Sequence, residues 1–151
     1  DVESAEEMYE EARRAYTDAD AGILCAAVAD FTPDHTADHK IKRGKDGMTI
    51  QLKPTKDIAA SLGATKKEGQ VLVGFALETN DEQQNAKGKL ERKNFDFIVL
   101  NSLNDKGAGF RVDTNKISII DRQDTTSYPL KNKSEVAKDI IDRLVQTLNK
   151  N

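Results

Sequence analysis

Three apolar runs of strand length, residues 22–28, 70–76 and 95–100, are separated by segments that carry helical patterns, and this alternation limits the possible folds more than any other feature of the chain. Gly22-Ile23-Leu24-Cys25-Ala26-Ala27-Val28 has no polar interruption, the pattern of a strand covered on both faces in a parallel sheet. Ser4-Ala5-Glu6-Glu7 has the form of a capping box, and Met8, Ala12, Ala15 and Ala19 follow at helical spacing. A short helix is expected from Thr55-Lys56-Asp57 through Ile58, Ala59 and Leu62, with Gly63 placed to end it in the left-handed conformation. A polar helical stretch runs from beyond Asn80 to about Asn94. A final amphipathic one, capped by Ser134, carries Val136, Ile140, Ile141, Leu144 and Leu148 on its apolar side. Met48, Ile50 and Leu52 alternate with polar residues as in a half-buried strand, and residues 116–121 and 126–130 flank a turn-rich segment that suggests a hairpin. The prediction is an α/β fold: a doubly wound, Rossmann-like, mostly parallel sheet with an antiparallel edge hairpin. Such folds open with a strand and commonly a Gly-rich phosphate loop, and residues 1–151 contain neither ahead of the first helix. The expectation is a single domain that forms the C-terminal portion of a larger one.

With 151 residues, 37% of them hydrophobic, the chain can build one core and not two. A net charge of −3 argues against general binding to nucleic acid or a membrane surface, so an anionic ligand must be held by local basic clusters. Cys25 is the one cysteine, expected as a core residue in a reducing compartment. No run is long and apolar enough to span a bilayer, and the acidic first residues lack the layout of a signal peptide; the expected location is cytoplasmic.

Ligands of open α/β sheets bind beyond the carboxyl ends of the strands, where helix amino termini converge. Asp30, Phe75 with Glu78, and Asn101 stand at such ends. Asp30 either accepts hydrogen bonds from ribose hydroxyls or a base amino group, or caps the following turn. Residues 31–47, with Pro33, His35, His39, Gly44 and Gly47 among charges, read as a long excursion. Its Lys40, Lys42, Arg43 and Lys45 form either a basic flap that closes over phosphates or a solvated charge run. Lys89 and Lys93 share a helical face; like charges at that spacing are disfavoured by a few tenths of a kcal/mol, and an anion between them reverses the penalty. The alternative is an exposed face partly offset by Glu91. His35 and His39, though four apart, lie in a Pro-containing segment without cysteine, so no metal site from protein side chains is expected.

Ala26-Ala27-Val28-Ala29-Asp30-Phe31-Thr32-Pro33, followed by Lys40-Ile41-Lys42-Arg43, resembles the signature of the phosphopantothenate–cysteine ligases. These are often the C-terminal half of bifunctional flavoproteins whose N-terminal half is a flavin-dependent decarboxylase. Lys53-Pro54-Thr55-Lys56-Asp57-Ile58, Val73-Gly74-Phe75-Ala76-Leu77-Glu78-Thr79, and Lys89 to Lys93 leading into Asn94-Phe95-Asp96-Phe97-Ile98-Val99-Leu100-Asn101 continue the likeness in order. Gly107 to Phe110 and Lys133-Ser134 extend it. The resemblance implies an enzyme of coenzyme A biosynthesis in which CTP, with Mg2+, activates 4′-phosphopantothenate as an acyl cytidylate that cysteine then attacks. It also implies that Ala26, Ala27 and Asp30 contact the cytidine, Phe75 lines the pocket, Lys89 and Lys93 hold phosphates, and residues from Lys56 through Asp57 and Ile58 to Ala59 add contacts. Lys40 is the implied catalytic lysine, Lys42 and Arg43 belong to the same flap, and the family forms homodimers in which the flap crosses to the partner. Arg43 stands where the family has a second lysine, and Thr55-Lys56 where it commonly has Asn-Pro.

Two other readings remain open: a non-catalytic nucleotide-binding or regulatory module, and an NADPH-dependent oxidoreductase domain. The missing Gly-rich fingerprint counts against the second. A purely structural dimerisation domain would leave Asp30 and Asn101 unexplained.

Overall fold

The computed structural model describes residues 1–43, 47–102 and 112–150. Lys45, the loop at 104–109 and the segment from Gly107 to Phe110 lie outside the described residues. In chain order the elements are α1 (Ala5–Tyr16), β1 (Ala21–Leu24), β2 (Phe31–Pro33), β3 (Leu52–Pro54), α2 (Ile58–Thr65), β4 (Val71–Glu78), α3 (Glu82–Arg92), β5 (Phe97–Ser102), β6 (Thr114–Asn115), β7 (Ile117–Asp121), β8 (Thr125–Ser127), β9 (Lys131–Asn132) and α4 (Lys133–Leu148). The main sheet runs β1-β4-β5-β7-β8. Its first three strands are parallel, and β7 and β8 add antiparallel, completing the expected α/β sheet with its edge hairpin.

The period of two along β4 and β5 sorts their side chains onto two faces. Leu72 and Ala76 with Ile98 and Leu100 meet Tyr16 of α1, Ile58 and Leu62 of α2, and Ala86 and Leu90 of α3. Val71 and Val73 with Phe97 and Val99 meet Val136 and Ile140 of α4. Both faces being covered, β4 reads in sequence as a continuous apolar run.

The capping box of α1 forms as expected: the Ser4 hydroxyl accepts from the Glu7 amide and the Glu7 carboxylate accepts from the Ser4 amide. Elsewhere the structure corrects the sequence reading. The buried residue at the end of α1 is Tyr16, while Ala15 is exposed. The Tyr16 hydroxyl has no hydrogen-bond partner among the described residues, and burial, followed by the nearby Asp96 carboxylate, pushes its pKa up to about 12. Gly63 does not end α2; the helix continues to Thr65, and Gly63 is buried where a Cβ would stand 2.0 Å from the Lys93 carbonyl oxygen. What glycine provides there is close approach of two backbones, and Asn94, at φ 51, donates to the Gly63 carbonyl at 2.9 Å. Asn132 rather than Ser134 caps α4, with its amide donating to Glu135, and Ile141 lies largely exposed beside Val145. Met48 and Ile50 are not in a half-buried strand. Among the described residues the strand there is Leu52–Pro54, paired with Phe31–Pro33 and extended by the Asp34 amide donating to the Gln51 carbonyl, and no described element covers this two-stranded arm.

Gly63→Ala is expected to cost about 2 kcal/mol or more, because backbone must move to admit the methyl group. Gly88→Ala, whose Cβ would meet nothing closer than an Arg92 side chain at 3.6 Å, is expected to stabilise α3 by about 0.5–1 kcal/mol; thermal or denaturant unfolding of the two variants checks both signs. Asp121 ties β7 to α4. Burial raises its pKa, but the amides of Asp124 and Gln123 and the Arg143 guanidinium outweigh it, so its carboxyl titrates below the ordinary value. A depressed folded pKa adds stability that is present above the unfolded pKa and lost as pH falls through the folded one. Asp121→Asn should therefore lose about 1–2 kcal/mol at neutral pH, and the difference from the parent should close as pH falls below about 4, measured by urea unfolding across pH.

Candidate functional site

The carboxyl ends of β1 and β4 open onto a cavity of about 550 Å³. Leu24 is the last residue of β1 in the sheet, and the chain then leaves it through Cys25, Ala26 and Ala27, which are exposed, before turning at Asp30 into β2. The expected strand 22–28 is thus cut short, and Cys25 is a free, exposed thiol rather than a core residue. The run is apolar for two reasons: Gly22 to Leu24 lie in the sheet, with Ile23 and Leu24 packed on its core, and Cys25, Ala26 and Val28 beyond it line the cavity. Thr55 fixes the other side: its amide donates to the Asp30 carbonyl at 2.9 Å and its hydroxyl to the Ala29 carbonyl at 2.7 Å. Those two bonds hold the β1 exit against the start of α2, a contact that sequence spacing did not reveal. Phe75 from β4, Phe95, and Met8 and Ala12 of α1 contribute apolar wall.

Of the residues singled out in sequence, Ala26, Asp30, Lys56, Asp57, Ile58, Ala59, Phe75, Lys89 and Lys93 line this cavity together. Ala27 does not line it, nor do Lys40, Lys42 and Arg43, which are exposed on the arm. Asp57 caps α2 by accepting from the Ala60 amide at 3.0 Å, so the first turn of that helix presents its amino end at the cavity. Asn101 is committed elsewhere, accepting from Asn115 at 3.1 Å.

Each cavity lysine meets a carboxylate. Lys93 stands 3.3 Å from Asp57, and Lys89 stands 2.6 Å from Glu78. Lys56 pairs with Glu6 and Glu10 of α1 while its ammonium sits 4.4 Å from the centre of the Tyr9 ring; hydrogen bonding to Glu6 is the main reason its pKa is raised. The expected repulsion between Lys89 and Lys93 is therefore relieved inside the protein by two separate acids. Among the described residues, no three His, Cys, Asp or Glu side chains are grouped to hold a metal, and no helix is long and apolar enough to cross a membrane. A smaller depression of about 360 Å³ lies at the opposite end of the sheet, between Arg13, Arg14, Lys67 and Gln70. There Arg13 and Arg14 are paired with Glu10 and Glu11, and no strand carboxyl end contributes.

The fold is that of an α/β domain with a cavity at the carboxyl edge of its parallel strands, the place where open α/β sheets take their ligands. The chain belongs to the DNA/pantothenate metabolism flavoprotein C-terminal domain family, whose model matches residues 1–148. It is 58% identical over 146 residues to a cysteine/cysteine sulfinic acid decarboxylase of an unknown prokaryotic organism, covering 96% of this chain and 41% of that protein. It is 44% identical over 144 residues to the coenzyme A biosynthesis bifunctional protein CoaBC of Bacillus subtilis, covering 95% of this chain and 35% of that protein. The chain thus spans well under half the length of these curated relatives. Among solved structures, the C-terminal domain of a CoaBC protein superposes with a TM-score of 0.79 at 32% identity, covering 99% of this chain and 65% of that one. A mutant Cab2 in complex with phosphopantothenate-cysteine shares the fold, with a TM-score of 0.61 at 20% identity over 84% of this chain and 43% of that one.

Cys25 offers a direct check of the cavity. In the folded chain its thiol is expected to react with a thiol reagent at a rate comparable to an unfolded control, and a ligand seated in the cavity should slow it; a thiol that reacts only after unfolding would contradict the exposed placement.

Proposed function

We propose that this chain supplies the CTP site of a ligase that joins 4′-phosphopantothenate to cysteine in coenzyme A biosynthesis. The observation that carries the reading is the convergence of Asp30, Phe75, Lys89 and Lys93 with the amino end of α2 on one cavity at the carboxyl edge of the sheet. The likeness to CoaBC supports it. In this reading Ala26 and Asp30 hold the cytidine, Phe75 packs beside it, and Lys89 and Lys93 bind the triphosphate with help from Ile58 and Ala59 of the α2 amino terminus, while Ala27 lies outside the cavity. Mg2+ travels with the triphosphate on its own oxygens, which are hard donors suited to it. The carboxylate oxygen of phosphopantothenate attacks the α-phosphorus, the bond to the β-phosphate breaks, and pyrophosphate leaves. The cysteine amine then attacks the acyl carbon of the mixed anhydride and CMP departs with the electrons of that C–O bond. Lys40 acts on the acyl cytidylate, and Lys42 and Arg43 share its flap.

Lys40 lies on the arm and not in the cavity of its own chain, which favours a homodimer whose flap serves the neighbouring site. Phe31, Ile41, Met48, Ile50 and Leu52, each 57–63% exposed, give that arm an apolar face of the kind that marks a protein interface. In a longer protein the flavin-dependent decarboxylase implied by the resemblance would form the N-terminal half.

Calorimetric titration with CTP, ATP and NADPH tests the reading. Saturable CTP binding is expected, weakened about tenfold or more by Asp30→Ala and by Lys89→Ala, since a charged hydrogen bond contributes about 1.5–3 kcal/mol. NADPH binding in place of CTP would move the assignment to an oxidoreductase, and CTP binding without turnover in the full-length protein to a non-catalytic module.

A further inference from the structure

Glu78 is the last residue of β4, and its side chain is only 14% exposed. A carboxylate that is mostly withdrawn from water needs a compensating partner. Among the described residues it has two, both on α3: the Lys89 ammonium donates to one oxygen at 2.6 Å, and the Asn85 side-chain amide reaches the other at 3.4 Å. Asn85 is itself fixed, donating to the Asn80 carbonyl at 2.9 Å across the turn that enters the helix. Asn85, Lys89 and Lys93 are spaced by four, so they lie along one face of α3.

The two acids that meet the cavity lysines are placed differently. Asp57 lines the cavity, so a bound anion must displace it from Lys93 or share that lysine with it. Glu78 does not line the cavity, although Lys89 does. Glu78 therefore grips Lys89 from outside the ligand space. An ammonium has three N–H donors, and with one spent on Glu78 two remain for a ligand. A lysine in water carries rotamer entropy worth up to about 2 kcal/mol, which must be surrendered when it grips a phosphate.

We propose that Glu78 is a positioning residue that holds Lys89 pre-oriented toward the phosphates of the bound nucleotide. This rests on the reading of the cavity as a nucleotide site. The carboxylate keeps its bond to Lys89 while the ligand takes the remaining donors, so the ordering cost is met during folding rather than during binding. Its contribution is confined to the polyphosphate end, since neither Glu78 nor Lys89 belongs to the β1 exit that carries Ala26 and Asp30.

The test is calorimetric titration of the parent chain, Glu78→Gln, Lys89→Met and the double variant with CTP and, separately, with cytidine, each protein first checked for an unchanged melting profile. Glu78→Gln keeps the shape and removes the charge. It should weaken CTP about three- to tenfold, from the rotamer freedom returned to Lys89, and leave cytidine affinity unchanged. In the Lys89→Met background the same substitution should no longer weaken CTP. Tighter CTP binding by Glu78→Gln would overturn the proposal by making the carboxylate a competitor of phosphate, and so would equal weakening with and without Lys89. Failure of the parent to bind CTP would instead remove the site reading on which the proposal stands. If Glu78→Gln prevents folding, Asn85→Ala takes its place: it loosens Glu78 from the other side and should reproduce the weakening in smaller measure.

Discussion

The carboxylate of Asp96 holds the frame on which the site depends. One oxygen accepts the Leu72 amide at 2.6 Å and the Lys66 ammonium at 2.9 Å, while the Asp96 amide donates to the Leu72 carbonyl. This side chain completes the hydrogen bonding just before β4 and β5 pair through Val73 and Phe97, and so fixes their register from the end remote from the cavity. A slip of one residue would exchange the two faces of β5, sending Ile98 and Leu100 toward α4 and Phe97 toward α3. It would also break the fit of Phe95 against Gly74, where a Cβ would come within 2.3 Å of the ring. The Lys66–Asp96 pair is largely shielded, with side chains 11% and 22% exposed, so its loss would leave a charge poorly solvated. Phe75, Glu78 and Asn101 reach the carboxyl edge together because this end is pinned.

Charge at that edge is arranged by pairing. Lys56, Lys89 and Lys93 come from two elements in a chain of net negative charge, and each has an acid assigned to it from a different direction. The Lys56 pairs with Glu6 and Glu10 are exposed, contribute little individually, and chiefly bind α1 to the start of α2. The Glu78–Lys89 pair is more shielded and has a second hydrogen-bonding partner, so it constrains geometry more strongly. The three cations are thereby kept in place without a large positive field over the surface.

Much of this was legible in the sequence because the signals were periodic or local. The runs that became β4 and β5, the capping box at Ser4 and the hairpin of β7 and β8 each depend on neighbours a few residues away, and each formed. An ordered set of short motifs also picked out Ala26, Asp30, Lys56 to Ala59, Phe75, Lys89 and Lys93, which share one cavity, whereas Ala27 and Lys40 from the same motifs lie outside it. What failed depended on distant chain. Gly63 signals a helix end by local preference, yet its role is set by the Lys93 carbonyl thirty residues on. Cys25 has the same apolar neighbours in a cavity wall as in a core strand, and only the turn at Asp30, tied down by Thr55, distinguishes the two. Tyr16 carries no such local signal, since alanines mark the helical stripe, whereas its buried place is beside Gly22 in the cluster that holds Leu72 of β4.

The arm of β2 and β3 shows the same limit from the other side. Met48, Ile50 and Leu52 carry the alternation of a half-buried strand, and the alternation is sound; its cover is absent from this chain's described residues. Burying a large apolar side chain contributes about 1.5–3 kcal/mol, so leaving five of them more than half exposed forgoes a gain on the order of 1 kcal/mol each. Among the described residues both sheet faces are already covered by helices, and none of those helices reaches the arm. Among the described residues nothing supplies that cover, and the homodimer proposed above would. A periodic apolar strand that no element of its own fold can cover is as informative about a partner as a buried one is about a core.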